Sequence, residues 1–163
     1  MSFAAIPMIE TRANDILRRL DWTYRLRLET QRELKSSSGV REVLDIMVEV
    51  GDGDQLFEQC SGGEQMAINL ALRLAIAELI ATRFGVEVRL LALDEPEFMD
   101  AGRLDLFIAL LADLEQQAAF EKVILVSHNL ELRHAFEMVI EIAGGGDSGT
   151  PSMVTGAREQ VPA

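Results

Sequence analysis

Apolar positions in residues 6–20 fall at Ile6, Ile9, Ala13, Ile16, Leu17 and Leu20, with Glu10, Arg12, Asp15, Arg18 and Arg19 filling the intervals. That spacing of three to four predicts an amphipathic helix, and Pro7 stands where a first turn tolerates it. The period then drops to two. Residues 24–30 (YRLRLET) alternate apolar and polar side chains and read as a half-buried strand. Ser36-Ser37-Ser38-Gly39 marks a loop, residues 43–50 a second strand, and Gly51-Asp52-Gly53-Asp54 a turn. The two strands predict a small antiparallel β layer.

After Gly62-Gly63 the pattern becomes helical again. Residues 64–84 predict one long helix, apolar on most of its circumference, with Asn69, Arg73 and Glu78 interspersed. Such a helix is expected in the middle of a domain. Leu90-Leu91-Ala92-Leu93 and residues 122–126 are short continuous apolar runs, the mark of strands buried on both faces of a parallel sheet. Helices over 101–119 and 129–136 and a last strand over 138–142 complete an alternation of strands and helices. This predicts an α/β fold with a parallel sheet. From residue 143 the chain turns to Gly, Ser, Thr and Pro and reads as a disordered tail. The expected organisation is therefore a helix over 1–22, a body over 23–142 and a tail over 143–163.

Length and composition narrow the class. A chain of 163 residues with 48% hydrophobic and 26% charged positions has ordinary globular composition, and its length fits a single core. No stretch reaches the roughly 18 clean apolar residues of a membrane helix, and residues 1–15 are too polar for a secretory signal. One cysteine, Cys60, excludes an internal disulfide and a multi-cysteine metal cage, and fits a reducing, cytoplasmic location. Charge is uneven. Residues 1–41 hold eight Lys/Arg against five Asp/Glu, a net of +3, whereas residues 42–163 hold seven against 22, a net of −15. So acidic a body is a poor match for phosphodiester backbone, leaving nucleic-acid contact to the Arg-rich first quarter or to a partner. The alternative is that the acidity only supports solubility.

Three segments offer chemistry. In Cys60-Ser61-Gly62-Gly63-Glu64-Gln65, two glycines, a hydroxyl and a helix N-terminus suit an anion. Ser61-x-x-Glu64 is equally a capping box. Asp94-Glu95 ends an apolar strand, at the edge of a parallel sheet where ligands of such folds bind. Asp94 suits Mg2+ beside a nucleotide's phosphates, and Glu95 suits accepting a proton from an attacking water. His128, after Ser127, ends a second buried strand on the same edge. A Ser-centred hydrolase is excluded because no G-x-S-x-G elbow is present.

Taken in order, Ser-Gly-Gly-Glu at a helix start, apolar-Asp-Glu-Pro at a strand end and Ser-His at the next strand end resemble the C-terminal lobe of an ABC-type ATPase head. The Glu64 ending and the long apolar helix after it resemble the SMC/SbcC-like branch that repairs DNA double-strand breaks. Residues 6–10 and 27–33 are similar to the segment where a coiled coil re-enters such a head. The resemblance covers about residues 5–142. It implies a P-loop NTPase-like ABC ATPase head, C-terminal lobe only, with a coiled-coil-base helix at the N-terminus. It further implies ATP and Mg2+ as ligands. Ser61, Gly62, Gly63 and Glu64 would be the signature motif, contacting ATP held by the opposite head of a dimer. Asp94 would hold the metal and Glu95 would be the catalytic base. Asp100 would be the D-loop aspartate and His128 the switch histidine at the γ-phosphate.

The chain departs from that family pattern in three places. Cys60 replaces a larger apolar residue. The loop Pro96-Glu97-Phe98-Met99 is one residue shorter than in most relatives. No G-x-x-x-x-G-K-[ST] occurs in these 163 residues, so the phosphate cradle must come from elsewhere. Two functions compete. One is an ATPase half, paired with a P-loop-bearing N-terminal lobe and a second head, gating a nuclease subunit and reaching DNA through the assembled complex, with no membrane contact. The other is a non-enzymatic interaction or regulatory module that docks a partner ATPase. A half-sheet of either kind is expected to leave an open edge and an apolar patch.

Overall fold

The computed structural model describes residues 5–33, 40–51, 53–94, 101–116, 120–133, 136, 138–143 and 153–159. Helix α1 (Ile6–Arg19) buries Ile9, Ala13, Ile16 and Leu17 on one face, as the spacing predicts. It ends in a Schellman motif: Trp22 N–H donates to Leu17 O (3.0 Å) and Asp21 N–H to Arg18 O (3.1 Å). Asp21 takes the left-handed position, φ 56°, that glycine usually fills. The motif fixes where the chain leaves the helix and so where Trp22 sits.

Strands β1 (Arg25–Glu33), β2 (Val40–Val50) and β3 (Gly53–Leu56) form an antiparallel sheet in that order. Leu26 pairs with Val48 across the first ladder, both fully buried, and Met47 pairs with Leu56 across the second. Strand β3 begins within the turn expected at residues 51–54 and runs on through residues to which the sequence pattern assigns no element. It is short and non-alternating, and its place is marked by Arg27, which reaches from β1 to Glu49 on β2 and Asp54 on β3. The outer edge of β1 does not stay open. The Asn14 amide donates to Leu26 O (2.9 Å) and accepts from Leu26 N–H (2.8 Å), while the Glu10 carboxylate accepts from Leu28 N–H (2.6 Å). Four helical residues rise about 6 Å and two strand residues about 6.7 Å, so one helix turn covers successive outward-facing peptide groups of the strand. The exposed backbone that invites stray strand pairing is thereby satisfied.

Helix α2 (Gly62–Phe84) packs its first half against α1. Residues Ala67, Ile68, Leu70, Ala71, Leu72, Leu74 and Ala75 are buried. Its second half runs out to solvent, with Ile80 43% and Phe84 70% exposed, so the expectation of a wholly central helix holds only for the first half. By length and composition α2 could cross a membrane. Its buried stripe in the shared core and the Glu78 ion pair to Arg12 on α1 mark it as a core helix. Gly85 ends it at φ 62°.

Strands β4 (Leu90–Asp94) and β5 (Lys122–Val126) are parallel, in register from Leu90 opposite Lys122 to Asp94 opposite Val126. Helix α3 (Ala101–Gln116) connects them, burying Leu104, Phe107, Leu110, Leu111 and Leu114. Leu91, Leu93, Val123 and Leu125 face the core. Leu90, Ala92, Ile124 and Val126 face outward and are exposed, Ile124 by 51% and Val126 by 53%. The expectation of strands buried on both faces is therefore corrected: one face of this sheet is uncovered and apolar.

Helix α4 is described over Leu130–Arg133, and residues 134–135 of the expected 129–136 lie outside the described residues. Strand β6 (Met138–Ala143) pairs antiparallel with β7 (Met153–Glu159), and among the described residues neither joins the parallel pair. One expectation is corrected here: the strand at 138–142 is not a third parallel strand among the described residues. Of the tail expected over 143–163, residues 144–152 and 160–163 lie outside the described residues. Strand β7 (MVTGARE) lacks an apolar run, and it is a strand through its ladder to β6. The chain is thus mixed α/β, with one parallel sheet and two small antiparallel sheets among the described residues.

Candidate functional site

The turn before α2 is built from Cys60 to Gln65. Ser61 is the N-cap, extended at φ −61° and ψ 158°. Its hydroxyl accepts from Glu64 N–H at 3.4 Å, and the Glu64 carboxylate accepts from Ser61 N–H at 2.7 Å. The capping box predicted from sequence is therefore present. Gln65, which the sequence reading left without a role, donates from Nε2 to Phe57 O (3.2 Å) and Cys60 O (3.1 Å), clamping the 3-10 turn Phe57–Gln59 to the helix start. Cys60 is buried, with Gln55 Nε2 donating to its sulfur, and desolvation followed by the Glu64 charge pushes its thiol pKa up. That environment makes it an inert packing residue rather than a nucleophile.

Ser61 and Gly62 are exposed. A Cβ placed on Gly62 would meet nothing within 4 Å, and its φ is not in the left-handed region. Neither the fold's own packing nor its backbone conformation requires glycine there. The residue leaves a bare, donor-rich helix end toward solvent, available to something that approaches closely.

The second group lies at the C-terminal edge of the parallel pair. Asp94 is the last residue of β4 and is exposed, and its carboxylate has no hydrogen-bond or ion-pair partner among the described residues. His128 is exposed two residues beyond the end of β5. The turn carrying it is pinned on both sides: Ser127 Oγ accepts from Asn129 N–H (2.9 Å), and Asn129 Oδ1 accepts from Glu131 N–H (2.8 Å). Ser127 and Asn129 were not assigned these roles from sequence, although their short polar side chains after an apolar run are the expected signal. The structure thus brings Asp94 and His128 to one sheet edge, and places Ser61, Gly62, Gly63 and Glu64 on a different element. Glu95 and Asp100 lie outside the described residues.

Among the described residues no group of three or more His, Cys, Asp or Glu side chains gathers around a metal position. A lone, unpartnered carboxylate at a strand end still fits Mg2+, which keeps most of its waters and takes one or two carboxylates with substrate phosphates.

No protein-family model matches the chain. It is 30% identical over 142 residues to the DNA double-strand break repair Rad50 ATPase of Saccharolobus solfataricus, an alignment covering 86% of this chain and 16% of that one. The chain is homologous to the archaeal Rad50 ATPases. The Rad50 ATPase of Methanocaldococcus jannaschii aligns at 26% identity over 87% of this chain and 12% of its own length, and that of Thermoplasma volcanium at 37% over 52% and 9%. These 163 residues therefore span about a tenth to a sixth of the curated relatives they match. Among solved structures, one from work on ATP-driven dimerization and DNA-stimulated activation of SMC ATPases matches with a TM-score of 0.64 at 16% identity, covering 97% of this chain and 86% of that one. The Smc head of Pyrococcus furiosus bound to the C-terminal domain of ScpA matches with a TM-score of 0.62 at 17% identity, covering 94% and 35%. At those identities the likeness is one of fold: the chain folds as part of an SMC-type ATPase head.

Proposed function

We propose that this chain is the C-terminal half of an ABC-type ATPase head of the Rad50 and SMC kind, completed by a P-loop-bearing lobe outside these 163 residues. The observation that carries the reading is the joint placement of Asp94 and His128 at the C-terminal edge of one parallel sheet whose outer face is bare. A helix of the P-loop-bearing lobe packed on that face would cover Leu90, Ala92, Ile124 and Val126 and bring the P-loop to that edge. The bare glycine at position 62 supports a signature turn that meets a second head rather than its own sheet.

Within such a dimer each residue has a task. Ser61, with the amides of Gly62 and Gly63, donates to the γ-phosphate of ATP held by the opposite head, and Glu64 keeps that turn in shape. Asp94 orients Mg2+, which when bound neutralises phosphate charge. Glu95 takes the proton of a water whose oxygen attacks the γ-phosphorus as the bond to the bridging oxygen of ADP breaks. His128 holds a γ-phosphate oxygen from the neighbouring strand end. Asp100 meets the opposite head across the interface. The assembled heads would act in the cytoplasm, gating a nuclease subunit and access to DNA.

The test is Glu95→Gln in the completed head. The amide keeps the shape and removes the base, which costs roughly 10²–10⁴-fold in turnover. Hydrolysis should collapse while Mg-ATP-dependent dimers accumulate in light scattering. Unchanged turnover removes Glu95 from the base role.

A further inference from the structure

Two of the elements that face the second head in the reading above are joined by an aromatic stack. Arg103, in the first turn of α3, lies with its guanidinium carbon 4.1 Å from the centroid of the Trp22 ring. The Trp22 and Tyr24 rings are 5.0 Å apart and tilted by 40°. The Tyr24 hydroxyl, on a ring that is 5% exposed, donates to Glu64 O over a long 3.4 Å. Trp22 Nε1 is buried without a hydrogen-bond partner, so the indole is held by its packing against the core, by the stack and by the Schellman turn behind it, and not by a polar contact.

From this geometry we infer that Arg103, Trp22 and Tyr24 are positioning residues that fix the start of α2 against the start of α3. The inference rests on the proposed ATPase reading for its consequence, but not for its geometry. Residues 61–64 cap α2 and Arg103 lies in the first turn of α3, so the starts of both helices are referenced to the same indole. A cation over an indole is directional, because the ring face carries the negative potential. It therefore resists rotation of α3 relative to the chain segment that leads from α1 into β1. Tyr24 passes that reference to the backbone of the signature turn. Leu or Met at these positions would fill the same space without fixing an orientation.

The experiment uses the full chain and two readouts. In the first, Arg103→Gln should raise amide hydrogen exchange at residues 64–67 by roughly fivefold, the factor that a cation–π contact of intermediate burial carries. Exchange at residues 68–75 should stay unchanged, and Arg103→Lys, which keeps the cation, should restore most of the protection. Trp22, the single tryptophan, reports the loss of the cation by its emission. Where Arg103→Gln fails to fold, Trp22→Leu carries the same test, since it removes the aromatic face and no hydrogen bond is lost with the indole N–H. In the second readout, with the P-loop lobe present, Arg103→Gln should raise the head concentration needed for half-maximal turnover severalfold and leave the maximal rate within about twofold. Exchange that is unchanged, or that rises equally along all of α2, overturns the positioning role. A local rise in exchange with unaltered concentration dependence also overturns it. Heads that never turn over while exchange shifts as expected would sink the ATPase reading and leave the stack's structural role standing.

Discussion

Ser61 separates a folding role from a functional one. Its hydroxyl accepts one helix amide at 3.4 Å in an exposed position. The other half of the box, Ser61 N–H to the Glu64 carboxylate at 2.7 Å, uses the backbone and survives Ser61→Ala, as does Gln65 N–H to Ser61 O at 2.9 Å. Loss of a cap costs about 0.5–2 kcal/mol, and a long, solvated bond belongs at the low end of that range. For a chain of this size the melting point should fall by roughly 1–4 °C. If the same hydroxyl donates to the phosphoryl group as it transfers, removing it should slow hydrolysis about 10²–10³-fold, the scale for one oxyanion donor. Ser61→Asp sharpens the contrast. Asp caps as well as Ser and favours the helix dipole, yet it sets a negative charge against the phosphate. It should melt at or above wild type and show no turnover. The assays are thermal unfolding of the chain and phosphate release from the completed head. Ser61→Asp with normal turnover, or Ser61→Ala melting more than roughly 8 °C low in step with its activity, would show that Ser61 only caps the helix.

Two further outcomes test the fold. Asn14→Ala strips both bonds from the Leu26 peptide groups and leaves a buried edge unsatisfied, so urea unfolding should show a loss of about 2–4 kcal/mol; Asn14→Asp, which can still accept from Leu26 N–H, should lose less, and a change under about 0.5 kcal/mol refutes the edge-cover account. Burial, then the Glu64 charge, raises the pKa of Tyr24, the only tyrosine. Its neutral form is favoured in the folded state, so this stabilisation is complete below the unfolded value of about 10 and is lost as pH rises further. Tyr24→Phe should flatten the alkaline decline in stability, whereas a phenol that titrates near 10 in the folded chain contradicts the burial.

The elements carried by strong periodicity or by a continuous apolar run were legible: α1, β1, α2, β4 and β5 fall within a few residues of their expected bounds. What failed was what depends on neighbours. A run such as Leu90-Leu91-Ala92-Leu93 reads as doubly buried, because sequence records the faces a strand is fit to bury and not whether a covering layer is among these residues. The open face of β4 and β5 is the visible remainder, and the apolar patch expected of a half-sheet is present. Strands β3 and β7 have no alternation to announce them and exist through ladders to β2 and β6. At the site, Asp94 and His128 were placed at one edge from strand ends alone, and the Ser61–Glu64 box from its spacing. The bridges Asn14 to Leu26 and Arg103 to Trp22 join residues 12 and 81 positions apart, and no local pattern encodes them.

The central claim is that this chain supplies half of each catalytic site and none of the P-loop. The direct measurement is phosphate release from Mg-ATP by the chain, without and with a P-loop-bearing lobe, as head concentration rises. The chain without that lobe should release no phosphate specifically, since it has neither the amide cradle nor the lysine that hold the β- and γ-phosphates. With the lobe, turnover should appear, depend on Glu95, and rise with the square or a higher power of head concentration at limiting protein, because each site needs two heads. Robust Glu95-dependent hydrolysis by the chain without a P-loop lobe would contradict the account, and absence of turnover with every matching lobe would leave the chain as a module that docks a partner ATPase.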